Sequence, residues 1–182
     1  MNKVILIQGK LKAEDGVRIV REIAEASCDE RVKTIVFLIH SGGGSIQIIN
    51  NVWDAVKNCD KQVVAVGMYE VASTAAAIFM MANRRILCPY TGFVVHEASI
   101  TDNSEKQWYK RDFEREMKNL EESTKTLLAP VLENSTIPEE VLRKQIAYGD
   151  WVIGGDLRRD YNIITEEYDV KEVMKLIGNI SI

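Results

Sequence analysis

Cysteine is scarce in this sequence: the three present, Cys28, Cys59 and Cys88, stand far apart and never as a C-x-x-C pair. Neither a disulfide framework nor a thiolate zinc cluster is indicated, and reduced thiols in a cytoplasmic compartment are the expectation. No apolar run approaches the ~20 residues of a membrane span, and the apolar stretch near the N-terminus is too short for a signal peptide. An excess of positive charge is lacking as well. Lys and Arg total 23 against 27 Asp and Glu, for a formal net charge of −4, and the cations are scattered among acidic residues. A surface that neutralises phosphates needs a basic stripe, so nucleic acid is not an expected partner. Internal repeats, linkers and low-complexity segments are missing, and no metal or cofactor site is expected.

What is present is a chain of 182 residues, 46% hydrophobic and 27% charged, which suits one globular domain over residues 1–182. Val4 to Ile7 and Thr34 to His40 are apolar, β-branched runs ended by glycines and read as buried strands. Between them Val17, Val20, Ile23 and Ala24 recur at helical spacing, with Glu14 and Asp15 suited to the positive end of that helix. The pattern repeats with a helix over about Ile46 to Lys57, a strand Val63 to Gly67, a helix from Ser73 to Met81 and a strand Phe93 to His96. Such alternation predicts an α/β fold. Asn103 to Glu133 reads as a long charged helix with one narrow apolar stripe of Phe113, Met117, Leu120, Thr124, Leu127 and Val131. Pro130 is expected to end or kink it, and Thr136 to Glu139 offers a capping box for the next helix, which stops at Gly149-Asp150. Short closing elements follow.

Chemistry concentrates in three places. The run Ser41-Gly42-Gly43-Gly44-Ser45 lies between a strand and a helix, where glycines let backbone N–H groups point into one space and hold an anion. It lacks the Lys-Ser/Thr of a nucleotide-binding loop and the glycine spacing of a dinucleotide fingerprint, and an ordinary turn is the competing account. Ser73 stands at a strand-to-helix junction before an alanine-rich helix, where the helix dipole would stabilise an oxyanion; a plain N-cap serine is the alternative. Histidine occurs twice, as His40 and His96, each at the end of a strand, so a histidine base would be one of these two.

In chain order these pieces resemble the Clp protease proteolytic subunit over about Val4 to Thr165. The family's Asn-Ser-Pro-Gly-Gly turn is answered by His40-Ser41-Gly42-Gly43-Gly44, and its Gly-x-Ala-Ala-Ser-Met-Gly motif by Tyr69 to Ala75. Its strand ending in Met-Ile-His is answered by Val94-Val95-His96, and its aspartate segment by Gly149-Asp150-Trp151 leading to Asp160-Tyr161-Asn162. The resemblance implies a ClpP/crotonase-like spiral of repeated β-β-α units. It implies a serine endopeptidase with Ser73 as nucleophile, His96 as base and Asp150 orienting the base, and Gly44 and Thr74 N–H groups as the oxyanion hole. Peptide or unfolded protein would be the substrate and a homo-oligomeric ring the assembly.

The departures are specific. Tyr69 and Ala75 stand where the family favours glycine, Thr74 where it favours methionine, and Gly42 replaces the proline of the turn. Gly67 is expected to absorb the turn that Tyr69 cannot. The segment Glu97 to Asn103 replaces a Gly-Gly stretch, so the handle that pairs rings is expected to be built differently. The chain starts almost at the first strand, which leaves the family's pore segment and its docking to an ATPase partner open. Three rivals follow: a noncatalytic ClpP-like assembly subunit, with Tyr69 in its favour; a crotonase-type acyl-CoA enzyme using Glu70; and a Ser-Lys peptidase, which would leave His96 idle.

Overall fold

The computed structural model describes residues 1–99 and 109–178. Its centre is a sheet of six strands in the order β1 (Asn2–Gln8), β2 (Thr34–Ser41), β3 (Gln62–Ala72), β5 (Gly92–Val95), β6 (Trp151–Val152), with β4 (Arg84–Leu87) also paired to β3. All pairings are parallel except β5 with β6. The helices α1 (Ala13–Cys28), α2 (Ile48–Lys57), α3 (Thr74–Met80) and α4 (Lys110–Asn134) join α5 (Glu139–Ile146), α6 (Leu157–Asp160) and α7 (Val170–Ile177). The expected α/β fold is therefore found.

Parallel strands covered on both faces should read as unbroken apolar runs, and β2 does: Ile35, Val36, Phe37, Leu38 and Ile39 are all buried. Alternate residues serve two cores. Ile35, Phe37 and Ile39 join Ile5, Ile7, Ile49, Phe79 and Leu128 in the large one. Val36 and Leu38 face Val64, Val66 and Ile86, capped by Val173 and Leu176 of α7. The C-terminal helix is held there by Arg84, which donates to both oxygens of Glu166 at 2.5 and 2.6 Å and to Glu172 at 3.3 Å.

β3 runs five residues past the expected Gly67, and it changes neighbours on the way. Val64 to Gly67 pair with β4, whereas Glu70 to Ala72 pair with β5. The switch occurs at a register shift against β2, where Ile39 pairs with Gly67 but Ser41 with Val71. Tyr69 takes the left-handed conformation required there, with φ 58°. Gly67 does not absorb the turn as expected; a Cβ on it would lie 2.6 Å from Leu87 and 2.7 Å from Val71, so it serves close packing instead.

Several other expectations are corrected. β4 is not foreseen, because the pair Arg84-Arg85 interrupts its apolar pattern. Arg85 is 4% exposed and donates to the carbonyls of Ala82, Asn134, Asn162 and Ile163 at 2.7–3.1 Å, so among the described residues backbone oxygens alone solvate the cation. In α1 the buried residues are Gly16, Ile19, Ile23 and Ala26, while Val17 is 73% exposed. Of the stripe read from the sequence, Ile23 is buried and Val20 packs against the core, while Val17 and Ala24 lie outside it and Gly16 takes the place where α1 meets Ile48 of α2. α4 continues through Pro130 to Asn134, because Leu127, Leu128, Pro130 and Val131 are all buried and hold the last turn in place. The Thr136 capping box does not form: Pro138 occupies the N-cap of α5, and Thr136 Oγ1 donates to the Asp160 carbonyl at 2.9 Å. The segment Glu97 to Asn103 and the start of the long helix lie partly outside the described residues.

Candidate active site

The upper end of β3 carries Ser73, immediately before α3, and its backbone has φ 56° and ψ −127°. This is a sterically disfavoured geometry for an L-residue, of the kind that projects a nucleophile from a sharp strand-to-helix turn. No cap hydrogen bond is made by its side chain, so the plain N-cap account does not describe it. The Ser73 N–H donates to the Val94 carbonyl at 3.0 Å, and its carbonyl accepts from Ala77 N–H, the first bond of the helix.

The glycine turn packs directly on this junction. A Cβ on Gly43, at φ +92°, would lie 2.6 Å from Ser73 Cβ and 2.9 Å from Thr74 N, so only a bare backbone fits. Ser41 Oγ latches the turn, accepting from Gly43 N–H at 3.0 Å and donating to the Gly9 carbonyl at 2.6 Å. A bridge between Leu11 and Gly44 secures its far side, through Leu11 N–H to Gly43 O and Ser45 N–H to Leu11 O, each 2.9 Å. Thr74, fully buried, joins the two motifs by donating from Oγ1 to the Gly44 carbonyl at 3.2 Å. Three adjacent glycines gave the sequence no means of ranking them; Gly43 is the one pressed against Ser73, and Gly44 follows beside Leu11.

His96 directly follows β5 and Asp150 directly precedes β6. Ala72, the last residue of β3, pairs with Val94. Val95 pairs with Trp151 across the antiparallel β5–β6 ladder. His96 and Asp150 are the next residues beyond that last pair. The segment after His96 is tied to α4 by Ala98 N–H donating to Thr124 Oγ1 at 3.1 Å. His96 is half-buried and Asp150 exposed. Among the described residues, no hydrogen bond links the Ser73 hydroxyl, the His96 ring and the Asp150 carboxylate. His40 goes elsewhere: it stands exposed, its ring 5.1 Å from that of Tyr69.

A cleft of about 450 Å³ opens beside the glycine turn, lined by Lys10, His40, Glu70 and Gly42 to Gly44. The cysteines offer no rival nucleophile there. All three are free thiols, and burial pushes that of Cys88 up, which favours the unreactive protonated form. Among the described residues no helix is long and apolar enough to cross a membrane.

The chain is 27% identical over 132 residues to ATP-dependent Clp protease proteolytic subunit 1 of Chlamydia caviae, covering 71% of this chain and 68% of that one. The corresponding subunit of Chlamydia pneumoniae is 24% identical over 134 residues, covering 72% and 69%. The fold is similar to that of a mutant ClpP1 from Listeria monocytogenes, with a TM-score of 0.77, 20% identity and 93% of each chain covered. The family model described as Clp protease matches residues 1–167. This chain belongs to the Clp protease family.

Proposed function

We propose that the chain is a serine endopeptidase acting on peptides or unfolded protein, with Ser73 attacking the scissile carbonyl. His96 takes the serine proton and later gives it to the leaving amine, while Asp150 fixes the tautomer of His96 and stabilises its charged form. The N–H groups of Thr74 and Gly44 face the developing oxyanion; removing one such donor typically costs about 3–4 kcal/mol of transition-state stabilisation. The observation that carries this reading is the Ser73 backbone, held at φ 56° against a glycine turn in which no side chain would fit. Strain of that kind persists where surrounding structure over-determines it, characteristically at functional sites.

A second reading, a noncatalytic assembly subunit of the same family, is favoured by the lack of a hydrogen bond from Ser73 to His96. Hydrogen bonds between catalytic groups often tighten only once substrate is bound, so a chemical test separates the two. A fluorophosphonate should label Ser73 and no other residue, and His96→Ala should prevent it, whereas His40→Asn should leave labelling largely intact. An assembled, folded protein that resists the probe across neutral pH would establish the noncatalytic reading.

The reading extends to assembly. Val17 on α1 and Phe113 and Met117 on α4 are 58–73% exposed, apolar side chains of the kind that a subunit contact covers. A homo-oligomer, in keeping with a family of ring-forming proteases, covers it. Light scattering at micromolar concentration should give a mass well above 20.6 kDa.

A further inference from the structure

The β5–β6 ladder that would carry His96 and Asp150 contains two residue pairs, Val94 with Val152 and Val95 with Trp151. So short a ladder has little strength of its own. Beside it lies Arg158 of α6, whose guanidinium donates from Nε to the Ile153 carbonyl at 3.1 Å and from Nη2 to the Thr91 carbonyl. Thr91 precedes β5 and Ile153 follows β6, so one planar fork spans the same end of both strands. Thr91 and Ile153 are themselves buried, and Ile153 N–H donates to Phe93 O at 2.9 Å.

The fork is itself anchored. The Arg158 carbonyl accepts from Ile163 N–H at 2.7 Å and Ile164 N–H at 3.1 Å. Ile163 and Asn162 in turn give their carbonyls to the buried Arg85. The Arg158 cation has no carboxylate partner among the described residues, and burial lowers its pKa. An arginine drawn from water toward carbonyls alone does not follow from surface solubility or from ion pairing.

We infer that Arg158 is a positioning residue: it clamps β5 to β6 and thereby holds Asp150 in register with His96. The inference rests on the peptidase reading above. Its consequence is that losing the Arg158 fork should reproduce the loss of Asp150, although Arg158 itself lies at the far end of the ladder from both residues.

The chain has two histidines, so in a His40→Asn background the imidazole of His96 can be followed alone by NMR. In that background Asp150→Asn should displace the NMR signals of the His96 ring, because the group that orients the imidazole changes from a carboxylate to an amide. Arg158→Ala should displace them in the same direction, and the double variant should go no further than Asp150→Asn. Peptide hydrolysis should fall about 10²-fold in kcat with KM little changed, the scale of a small misplacement of a reacting group. Arg158→Lys, which keeps the charge but reaches fewer carbonyls, should be intermediate in both readouts. It also serves as the test variant if urea unfolding shows that Arg158→Ala does not fold.

An Arg158→Ala or Arg158→Lys protein that is folded and whose His96 ring signals stay where they are with Arg158 intact would overturn the clamp. A double variant whose His96 signals move well beyond those of Asp150→Asn would overturn it too, since Arg158 would then act independently of Asp150. If Asp150→Asn leaves both the His96 signals and hydrolysis unchanged, the triad assignment fails first and the clamp with it.

Discussion

Replacing Ser73 by glycine should make this protein more stable while abolishing the proposed peptidase activity. At φ 56° and ψ −127°, the Ser73 Cβ crowds its own backbone, a conformation that costs an L-residue roughly 1–2 kcal/mol. Glycine removes that penalty and returns about 0.5–1 kcal/mol of it through the greater freedom of the unfolded chain. Ser73→Ala keeps a Cβ and hence the strain, so it is the proper reference; both variants lack the hydroxyl. The net expectation is that Ser73→Gly exceeds Ser73→Ala by about 1 kcal/mol, or roughly 2–4 °C in Tm for a chain of this size. Urea unfolding at one fixed protein concentration, with equal m-values, measures the difference while holding assembly constant. Tyr90 is a useful control: it has φ 64° and is fully exposed, so Tyr90→Gly should gain comparable stability with hydrolysis intact. If Ser73→Gly proves no more stable than Ser73→Ala while Tyr90→Gly does gain, the Ser73 backbone is not strained and the main support for the nucleophile is lost.

Other outcomes follow from the same structure. Gly43→Ala should eliminate hydrolysis, since its Cβ would meet Ser73 Cβ at 2.6 Å and the Ala72 carbonyl at 2.8 Å, whereas Gly9→Ala has open space and should cost only about 1 kcal/mol of stability through its positive φ; a peptidase assay and urea unfolding separate the two. Arg85→Met should destabilise by about 3 kcal/mol or more in urea, because it strands the buried bonds to the Ala82 and Ile163 carbonyls and removes a donor from those of Asn134 and Asn162. The Arg84 guanidinium holds the Glu166 carboxyl below its ordinary value, chiefly by hydrogen bonding. A depressed folded-state pKa adds stability that is complete above the unfolded value and is lost as pH falls through the folded one. Unfolding between neutral pH and about pH 3 should therefore show acid loss that Glu166→Gln flattens, and a wild-type profile identical to that of the variant would refute the pairing.

How much of this was legible depended on whether one residue's surroundings came from its own segment. The unbroken apolar run of β2 announced a strand covered on both sides, and the serine, the histidine and the glycine turn were each visible at the end of a strand. Strand β4 was not, because Arg84 and Arg85 are charged; their acceptors, Glu166 and the carbonyls at 134, 162 and 163, lie far along the chain. The same holds for Pro130, which a local rule would place at a helix end but which packing against α3 keeps inside. Gly43 could not be told from Gly42 and Gly44 without Ser73 beside it. Tyr69 stands out in the sequence only against the family's glycine, and its turn is wrongly given to Gly67: a tyrosine carries no local signal of positive φ, and only the change of partners along β3 demands it.

The Arg85 bonds also set an order of events during synthesis. Its acceptors at Asn162 and Ile163 emerge last, at chain growth of 5–20 residues per second roughly 4–16 s after Arg85 itself. Until then the guanidinium has no place inside a core, and β4 cannot settle against β3 without stranding a charge. The His96 and Asp150 segments are fixed through the same late-arriving residues. A nascent or truncated chain thus holds the Ser73 segment without the framework that, on the proposed peptidase reading, would arm it, and unfinished copies would stay inactive toward unfolded polypeptide.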